Sequence, residues 1–360
     1  MLNTLFPENP QGHVASRLNT LAAMISGIVG SRSVSLPAIA SKVPGGGGDQ
    51  DAKVESRVKR FERWLRNKAV ESEIFFLPFA EALLLSLCHS PLVLAIDGSI
   101  VGRGCMTLMV SVVYKQRALP VAWMVAKRRK DHFPERIHLE LMRKVQRLIP
   151  DAARVVVLGD GEFDGVDLQA LVQESGWDYA LRTSKTATLT WQGEEFRFTD
   201  VRDRVAPGDI FDVPGALFTQ RRYGPVLAVT WWRKDCKEPI HLVTNMTSSE
   251  EACGWYSKRF KIETLFSDQK SRGFHLHKSH ISDPTRLCRL LVAACLAYLW
   301  IVYLGVYALR HGWDKIIHRN KRCDLSLFQL GLRLLDHFLN EELPIPVAFT
   351  PYGEALNYVR

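Results

Sequence analysis

Leu92-Val93-Leu94-Ala95-Ile96-Asp97-Gly98 is a short, unbroken apolar run that closes on an acid and a glycine. A strand half exposed to water alternates polar and apolar residues, whereas one buried on both faces does not. The run therefore predicts a strand in the middle of a sheet, ending at Asp97-Gly98. Val155-Val156-Val157-Leu158-Gly159-Asp160-Gly161 has the same form and predicts a second buried strand with the same ending. Between them, Thr107 to Tyr114 and Ala118 to Val125 are apolar, β-branched runs separated by Lys115-Gln116-Arg117, a hairpin pattern. Pro134 to Leu148 has helical spacing through Ile137, Leu141, Val145 and Leu148. A short helix over Val166 to Val172 and a strand at Tyr179-Ala180-Leu181 follow. Strand, strand, strand, helix, strand, helix, strand is the order of an α/β protein: a hairpin followed by βαβ units, giving a mixed sheet with helices on its faces.

Outside this block the pattern changes. Residues 186–243 hold short strand-like pieces (Phe196 to Phe198, Val226 to Trp232, His241 to Val243) broken by Pro and Gly, and predict a mainly β insertion. Helix resumes near Ser249 and is expected to run to about Arg272. At the N-terminal side, Val14, Leu18, Leu21, Ile25, Ile28 and Val29 predict one or two helices. Gly45-Gly46-Gly47-Gly48 reads as a flexible connector, and Val54 to Asn67 as a basic helix. Leu83 to Leu87 belongs to a further helix, and Leu325 to Leu339 to another before a proline-containing tail. No internal repeat is present.

Leu290 to Leu309 contains no charged residue and is flanked by Arg289 and Arg310. That length meets the minimum for a membrane span. It also suits a helix buried in protein, with Asp283-Pro284 as N-cap and first helical position and Gly312 as stop. Tyr298, Tyr303 and Tyr307 lie inside the run rather than only at its ends, which favours the core helix.

The 47 Lys and Arg against 38 Asp and Glu give a net charge of +9 in 360 residues. This excess favours a polyanionic partner, nucleic acid before an anionic membrane. Seven scattered cysteines form no C-x-x-C pair and no zinc-finger spacing, as expected of reduced thiols in a cytoplasmic protein. The N-terminus has no basic-then-apolar leader, so export is not expected.

Two parallel strands ending in Asp97-Gly98 and Asp160-Gly161 would place both carboxylates at one sheet edge. Such a pair resists joint ionisation unless a cation neutralises it, and hard oxygen ligands suit Mg²⁺ or Mn²⁺. Each Asp-Gly taken alone is also an ordinary turn dipeptide. The segment Trp255-Tyr256-Ser257-Lys258-Arg259-Phe260-Lys261-Ile262-Glu263, continuing to Lys270, adds a third carboxylate. On one continuous helix Tyr256, Arg259, Glu263 and Lys270 would share an arc of roughly 60° along about 21 Å. That face would set a carboxylate among phosphate-binding groups; a solvated amphipathic face would look similar.

These four residues match the Y-x2-R-x3-E-x6-K signature, and the chain resembles the bacterial insertion-sequence DDE transposases that carry it. Leu94 to Ser99 and Leu158 to Asp164 resemble the family's two Asp regions, and the β-rich insertion between second Asp and Glu is also similar. The resemblance spans about residues 91–305. It implies an RNase H-like mixed β-sheet flanked by helices, split as 91–185 and 244–310 around the insertion 186–243. A helical region 1–90 able to bind DNA ends and a C-terminal helical tail 311–360 would flank it. It further implies metal-dependent cleavage at transposon ends and strand transfer, with Asp97, Asp160 and Glu263 as catalytic residues and ligands of two Mg²⁺ or Mn²⁺ ions. Glu162 and Asp164 are not ligand positions in the family.

DNA-contacting candidates are Tyr256, Arg259, Lys270, Trp255, Lys127, Arg128 and Arg129, with Lys130 and the stretch Arg272 to His280 nearby. Trp231 and Trp232 could stack on an extruded base. The partner would be double-stranded DNA, both transposon ends and target, bound by a homodimer assembled on it. The setting would be the bacterial cytoplasm and nucleoid, without stable membrane association. Two other readings stand beside this one: an inactive or regulatory DNA-binding copy, and a membrane-anchored protein using Leu290–Leu309.

Overall fold

The computed structural model describes residues 10–43, 53–128, 132–319 and 323–350. Gly45 to Gly48, Arg129, Lys130 and the last ten residues of the tail lie outside the described residues. Among the described residues, five helices precede the first strand: α1 (Gly12–Ser31), α2 (Leu36–Ser41), α3 (Val54–Arg66), α4 (Ser72–Phe75) and α5 (Leu77–Leu87). The catalytic block follows as β1 (Leu92–Gly102), β2 (Cys105–Tyr114), β3 (Arg117–Lys127), α6 (Glu135–Gln146), β4 (Val155–Gly159), α7 (Val166–Glu174) and β5 (Asp178–Arg182).

β1, β2 and β3 form an antiparallel meander, while β4 and then β5 add in parallel to β1, giving the order β3-β2-β1-β4-β5. This is the RNase H-like sheet. Parallel neighbours need a crossover, and α6 and α7 supply the two. Glu135 at the start of α6 ties these helices together: its Oε1 accepts the N–H groups of Asp167 and Leu168, at 2.9 and 3.1 Å, in the first turn of α7. Those donors have no partner within their own helix.

The insertion contains more strand than the sequence suggests: β6 (Thr188–Trp191), β7 (Glu194–Arg197), a 3-10 turn over Phe198–Arg204, β8 (Ile210–Phe218), β9 (Tyr223–Trp231) and β10 (Ile240–Thr244). β10 pairs antiparallel with β5, so the insertion extends the catalytic sheet to ten strands in the order β3-β2-β1-β4-β5-β10-β9-β8-β6-β7.

The predicted helix from Ser249 to Arg272 is two helices, α8 (Ser249–Tyr256) and α9 (Lys261–Gln269). The N–H groups of Lys258, Arg259, Lys261, Ile262 and Glu263 each bond to the carbonyl three residues back. This tighter winding turns the chain faster than 3.6 residues per turn and rotates α9 out of phase with α8. Tyr256, Arg259, Glu263 and Lys270 therefore do not share one helical face. Strand alternation separates the cores as well. Val93, Val156 and Leu158 pack with Tyr256 in a small cluster, while Leu92, Leu94, Val155 and Val157 join the main core with Ile262, Leu265 and Phe266.

The uncharged run is the middle of α10 (Pro284–Arg310), whose apolar window is 94% buried inside the protein. Asp283 caps it, its Oδ1 accepting the Arg286 N–H at 2.7 Å. α11 (Asp314–Ile317) and α12 (Leu327–Asn340) complete the fold. α10 packs against α12, α1, α3 and β3, so protein covers the surface a membrane span would give to lipid. The α10–α12 crossing depends on two glycines. A Cβ on Gly331 would stand 1.9 Å from the Ile301 carbonyl oxygen, and one on Gly305 1.9 Å from that of Leu327. Gly331→Ala must push two backbones apart, and should cost about 3 kcal/mol, at the high end of overpacking. Gly254→Ala is the control, since its Cβ meets nothing within 4 Å. It should be neutral or stabilise α8 by up to about 1 kcal/mol. Urea midpoints of the two variants check both figures.

Candidate active site

β1 and β4 run parallel with Ala95 opposite Leu158, so Asp97 and Asp160, each two residues further on, stand level. β4 ends at Gly159 and frees Asp160 from the ladder. β1 does not end at its acid: Asp97 lies opposite Met109 of β2, and the strand continues to Gly102. The expected strand end at Asp97-Gly98 is corrected, because β2 sustains pairing after β4 has stopped. The glycines differ too. Around Gly161 the nearest atom to an added Cβ is the Arg182 carbonyl oxygen at 4.0 Å, whereas Met106 and Phe133 cover Gly98 at 3.7 and 3.9 Å. Only the second glycine leaves open space.

Local hydrogen bonds orient both aspartates. Asp97 Oδ1 accepts the Gly98 N–H at 2.7 Å, and Asp160 Oδ1 accepts the Glu162 N–H at 3.0 Å. Glu162 in turn accepts the Phe133 N–H at 2.6 Å and lies 3.0 Å from His132 Nδ1 and 3.4 Å from His138 Nε2. Burial pushes the Glu162 carboxyl up, but His138, His132 and the Phe133 N–H together hold it below its ordinary value. Asp164 accepts the Thr183 hydroxyl at 2.6 Å, and burial raises its carboxyl. Both acids are engaged in holding the loop after β4.

The third acid enters from α9, and Arg259, in the tight turn before it, joins all three. Its Nη2 donates to Glu263 Oε1 at 2.9 Å, and its Nη1 lies 3.3 Å from Asp97 Oδ2 and 4.0 Å from Asp160 Oδ2. The Arg259 side chain is 6% exposed, while those of Asp97, Asp160 and Glu263 are 16%, 35% and 55% exposed. Phe260 lies under the guanidinium, 4.5 Å from its ring centre. Burial opposes the charge of Arg259, but Tyr256, Asp97, Asp160 and Glu263 restore it and hold the pKa above its ordinary value. Asp97 is pushed up to about 7, first by burial and then by Asp160, with Arg259 only partly offsetting them.

Among the described residues no three His, Cys, Asp or Glu side chains surround a common point closely enough to hold a metal ion as they stand. Arg259 lies among the acids. The donor set nevertheless fits a hard divalent cation: three carboxylates, the most buried of which is still short of positive charge with the guanidinium present.

Lys270, just after α9, donates to the Ser99 hydroxyl at 2.6 Å, two residues beyond Asp97. Burial lowers its ammonium pKa and Asp97 counters that. Tyr256 is 1% exposed, packed beneath the site rather than presented to solvent. Trp255 is half-buried, its indole N–H donating to Glu251 at 3.1 Å with the Lys258 ammonium 3.9 Å from its ring centre. Lys127 ends β3 opposite Cys105, which pairs with Gly102. That is five residues past Asp97, or about 17 Å along the strands. Lys127 is exposed, Arg128 is half-buried against Phe133, and Arg129 lies outside the described residues. Trp231 and Trp232 are half-buried, with Arg233 and Arg202 over their rings.

The sequence reading missed a cleft of about 500 Å³ that opens beside Asp160. Arg182, the last residue of β5, Lys185 just beyond it, and Arg202, from the 3-10 turn, line it together with Glu238, Phe198 and His241. Burial and the fields of Arg182 and Lys185 push the His241 imidazole down to about 4. Two basic residues at and just past the end of a parallel strand were the available signal, but their convergence with Arg202 depends on the insertion's fold.

In this RNase H-like sheet Asp97, within β1, stands level with Asp160, just past β4, and a helix brings a third acid, an arrangement suited to polynucleotidyl phosphoryl transfer. The transposase DDE domain family matches residues 89–300, more than half of the chain, and the chain belongs to that family. It is a DNA transposase, and enzymes of this family use divalent metal ions. No curated protein matches it in sequence. Among solved structures, a piggyBac transposase synaptic complex with hairpin DNA is 11% identical with a TM-score of 0.47, covering 94% of this chain and 74% of that one. Human ENDOV is 13% identical with a TM-score of 0.27, covering 62% of this chain and 96% of that one. Likenesses this distant say nothing about the site.

Proposed function

We propose that this transposase cuts transposon ends and joins them to target DNA, as a member of the bacterial insertion-sequence group with the Y-x2-R-x3-E-x6-K signature. Asp97, Asp160 and Glu263 would hold two Mg²⁺ or Mn²⁺ ions. Such ions activate a water or a 3′-hydroxyl and stabilise the leaving oxygen of an in-line displacement. The observation that carries this reading is the convergence of all three acids on Arg259, from elements far apart in sequence.

The protein's own groups have distinct parts. Asp97 and Asp160, fixed by backbone N–H groups, supply preorganised negative charge. Arg259 neutralises the acids in the free protein and, once cations take over that task, is free to pair with a phosphate. Lys270 holds β1 through Ser99 and adds positive charge. The basic cleft beside Asp160 receives the DNA strand, Arg182, Lys185 and Arg202 meeting its phosphates. Lys59, Arg63 and Arg66, at i, i+4 and i+7 on the outer side of α3, suit phosphate contacts by the N-terminal region. Two copies would assemble on paired ends, in the bacterial cytoplasm.

The test uses duplex DNA carrying the terminal repeats that border the gene. With Mg²⁺ the full chain should nick at the repeat boundary and join the released 3′ end to a plasmid. Chelator should stop both steps and leave a gel shift on the repeats. Nicks scattered without regard to the boundary, or end binding without any nicking, would reject the reading.

A further inference from the structure

Beneath the site, Arg117 Nη1 meets Asp268 Oδ2 at 2.8 Å, with the two side chains 12% and 3% exposed. Arg117 opens β3 and Asp268 lies near the end of α9, so the pair joins the helix that carries Glu263 to the far end of the sheet. Its surroundings are expensive for charge. Burial pushes the Asp268 carboxyl up to about 6, against the pull of Arg117 and Arg272. Ionised partners at such a place add little stability over an apolar pair of similar volume, but they impose direction.

Besides Arg259 at Glu263, the directional ties at α9 are Gln269 Nε2 on Cys295 Sγ at 3.4 Å and Lys270 on Ser99 at 2.6 Å, neither of them a pairing of two charges. The helix has nine residues, and the tight turn before it has already broken its phase with α8. Ile262, Leu265 and Phe266 pack it onto the sheet, yet apolar contacts restrain rotation about the helix axis weakly. Glu263 is the most exposed of the three acids, so its position depends on that rotation. A side chain lies about 5–6 Å from a helix axis. A 20° turn therefore moves the Glu263 carboxylate by about 2 Å, when misplacement by about 1 Å can cost about 100-fold in rate.

We infer that Arg117 and Asp268 are positioning residues that set the rotation of α9 and so place the Glu263 carboxylate against Asp97 and Asp160. The inference rests on the reading of Glu263 as a site acid.

The full chain is compared as wild type, Arg117→Met/Asp268→Leu, Asp268→Asn and Glu263→Gln, on the same terminal-repeat DNA with Mg²⁺. Melting temperature, DNA affinity and the single-turnover cleavage rate at saturating DNA are measured. The apolar pair should melt within a few degrees of wild type and bind DNA equally well, yet cleave about 10- to 100-fold more slowly. Asp268→Asn keeps volume and loses charge but leaves Arg117 without its charged partner, so it should melt lower and is assayed at a temperature where circular dichroism shows it folded. There it should show the same separation of rate from affinity, and it decides the matter if the double variant does not fold. Cleavage by a folded apolar-pair variant within twofold of wild type would show that the pair merely packs, and so would rates that simply follow melting temperature. Cleavage by Glu263→Gln at the wild-type rate would overturn the reading of Glu263 and this inference together. Loss in Glu263→Gln with full activity in the Asp268 variants would overturn this inference alone.

Discussion

Asp97→Asn is expected to abolish cleavage and strand transfer, by at least about a thousandfold, while making the metal-free protein more stable. The activity loss follows from removing one of three charges that must act together, a class of change whose effects are large and non-additive. The stability gain follows from the raised carboxyl. Asp97 sits at about 7 in the folded chain against 3.8 ordinarily. A carboxyl raised on folding keeps its proton longer in the native state than in the unfolded one. Its contribution is therefore most favourable below about pH 4 and is lost as pH rises towards 7, because native protein binds more protons over that window. The loss amounts to at most about 4 kcal/mol. Asp268, raised to about 6, acts in the same direction, so the signal specific to Asp97 is the difference between wild type and variant. Urea unfolding in EDTA at pH 5 and pH 8 measures it. Wild type should weaken between the two pH values by more than Asp97→Asn does, and an equal fall in both proteins would remove the electrostatic account.

Arg259→Gln should have the opposite effect on the metal-free protein. Its guanidinium is buried among three acids, and removing one member of a buried ionic cluster costs about 3–5 kcal/mol because the remaining charges lose their partner. Divalent ions should then replace what was lost. Mn²⁺ or Mg²⁺ ought to raise the melting temperature of the variant well beyond its effect on wild type, through preferential binding to the folded state. Calorimetric titration without DNA should show tighter Mn²⁺ binding in the variant, since no resident cation competes. Equal metal stabilisation of wild type and variant would mean that guanidinium and metal do not compete for the acids. Cleavage should still fall, because a phosphate partner goes with the side chain.

The elements that were legible in the sequence share a physical cause. β1, β4 and β5 are buried on both faces, so their apolar runs are unbroken; α6 carries a helical period, and α10 an uncharged run with a clear start at Asp283-Pro284. Elements shaped by tertiary pairing were not legible. β8 contains Pro214 and Gly215, which read as a turn, but they sit where its register with β9 shifts between Val213 and Ala216. Asp97-Gly98 also looks like a turn, and only the presence of β2 carries the strand past it. The break between α8 and α9 arises from a run of three-residue hydrogen bonds that the spacing of Ile262, Leu265 and Phe266 does not betray.

In the site, the i,i+4 spacing announced the Arg259–Glu263 pair. The approach of Arg259 to Asp97, 162 positions away in sequence, required the fold. The signature named Arg259 and Glu263, which the fold does bring together, but the single helical face inferred from its spacing does not form. Arg259 and Glu263 meet as an i,i+4 pair across the turn into α9, while Tyr256 is buried and Lys270 reaches Ser99.

The junction of β5 with β10 bears on how the cleft meets its substrate. An accessory segment attached by a loop could swing like a flap and adjust its grip. Here the insertion is stitched to the catalytic strands by the same backbone ladder that holds those strands to each other. The wall bearing Arg202 and His241 is thereby kept at a set distance from the wall bearing Asp160. On the proposed reading, in which DNA enters this cleft, a strand would have to bend or unpair to fit walls held together in this way.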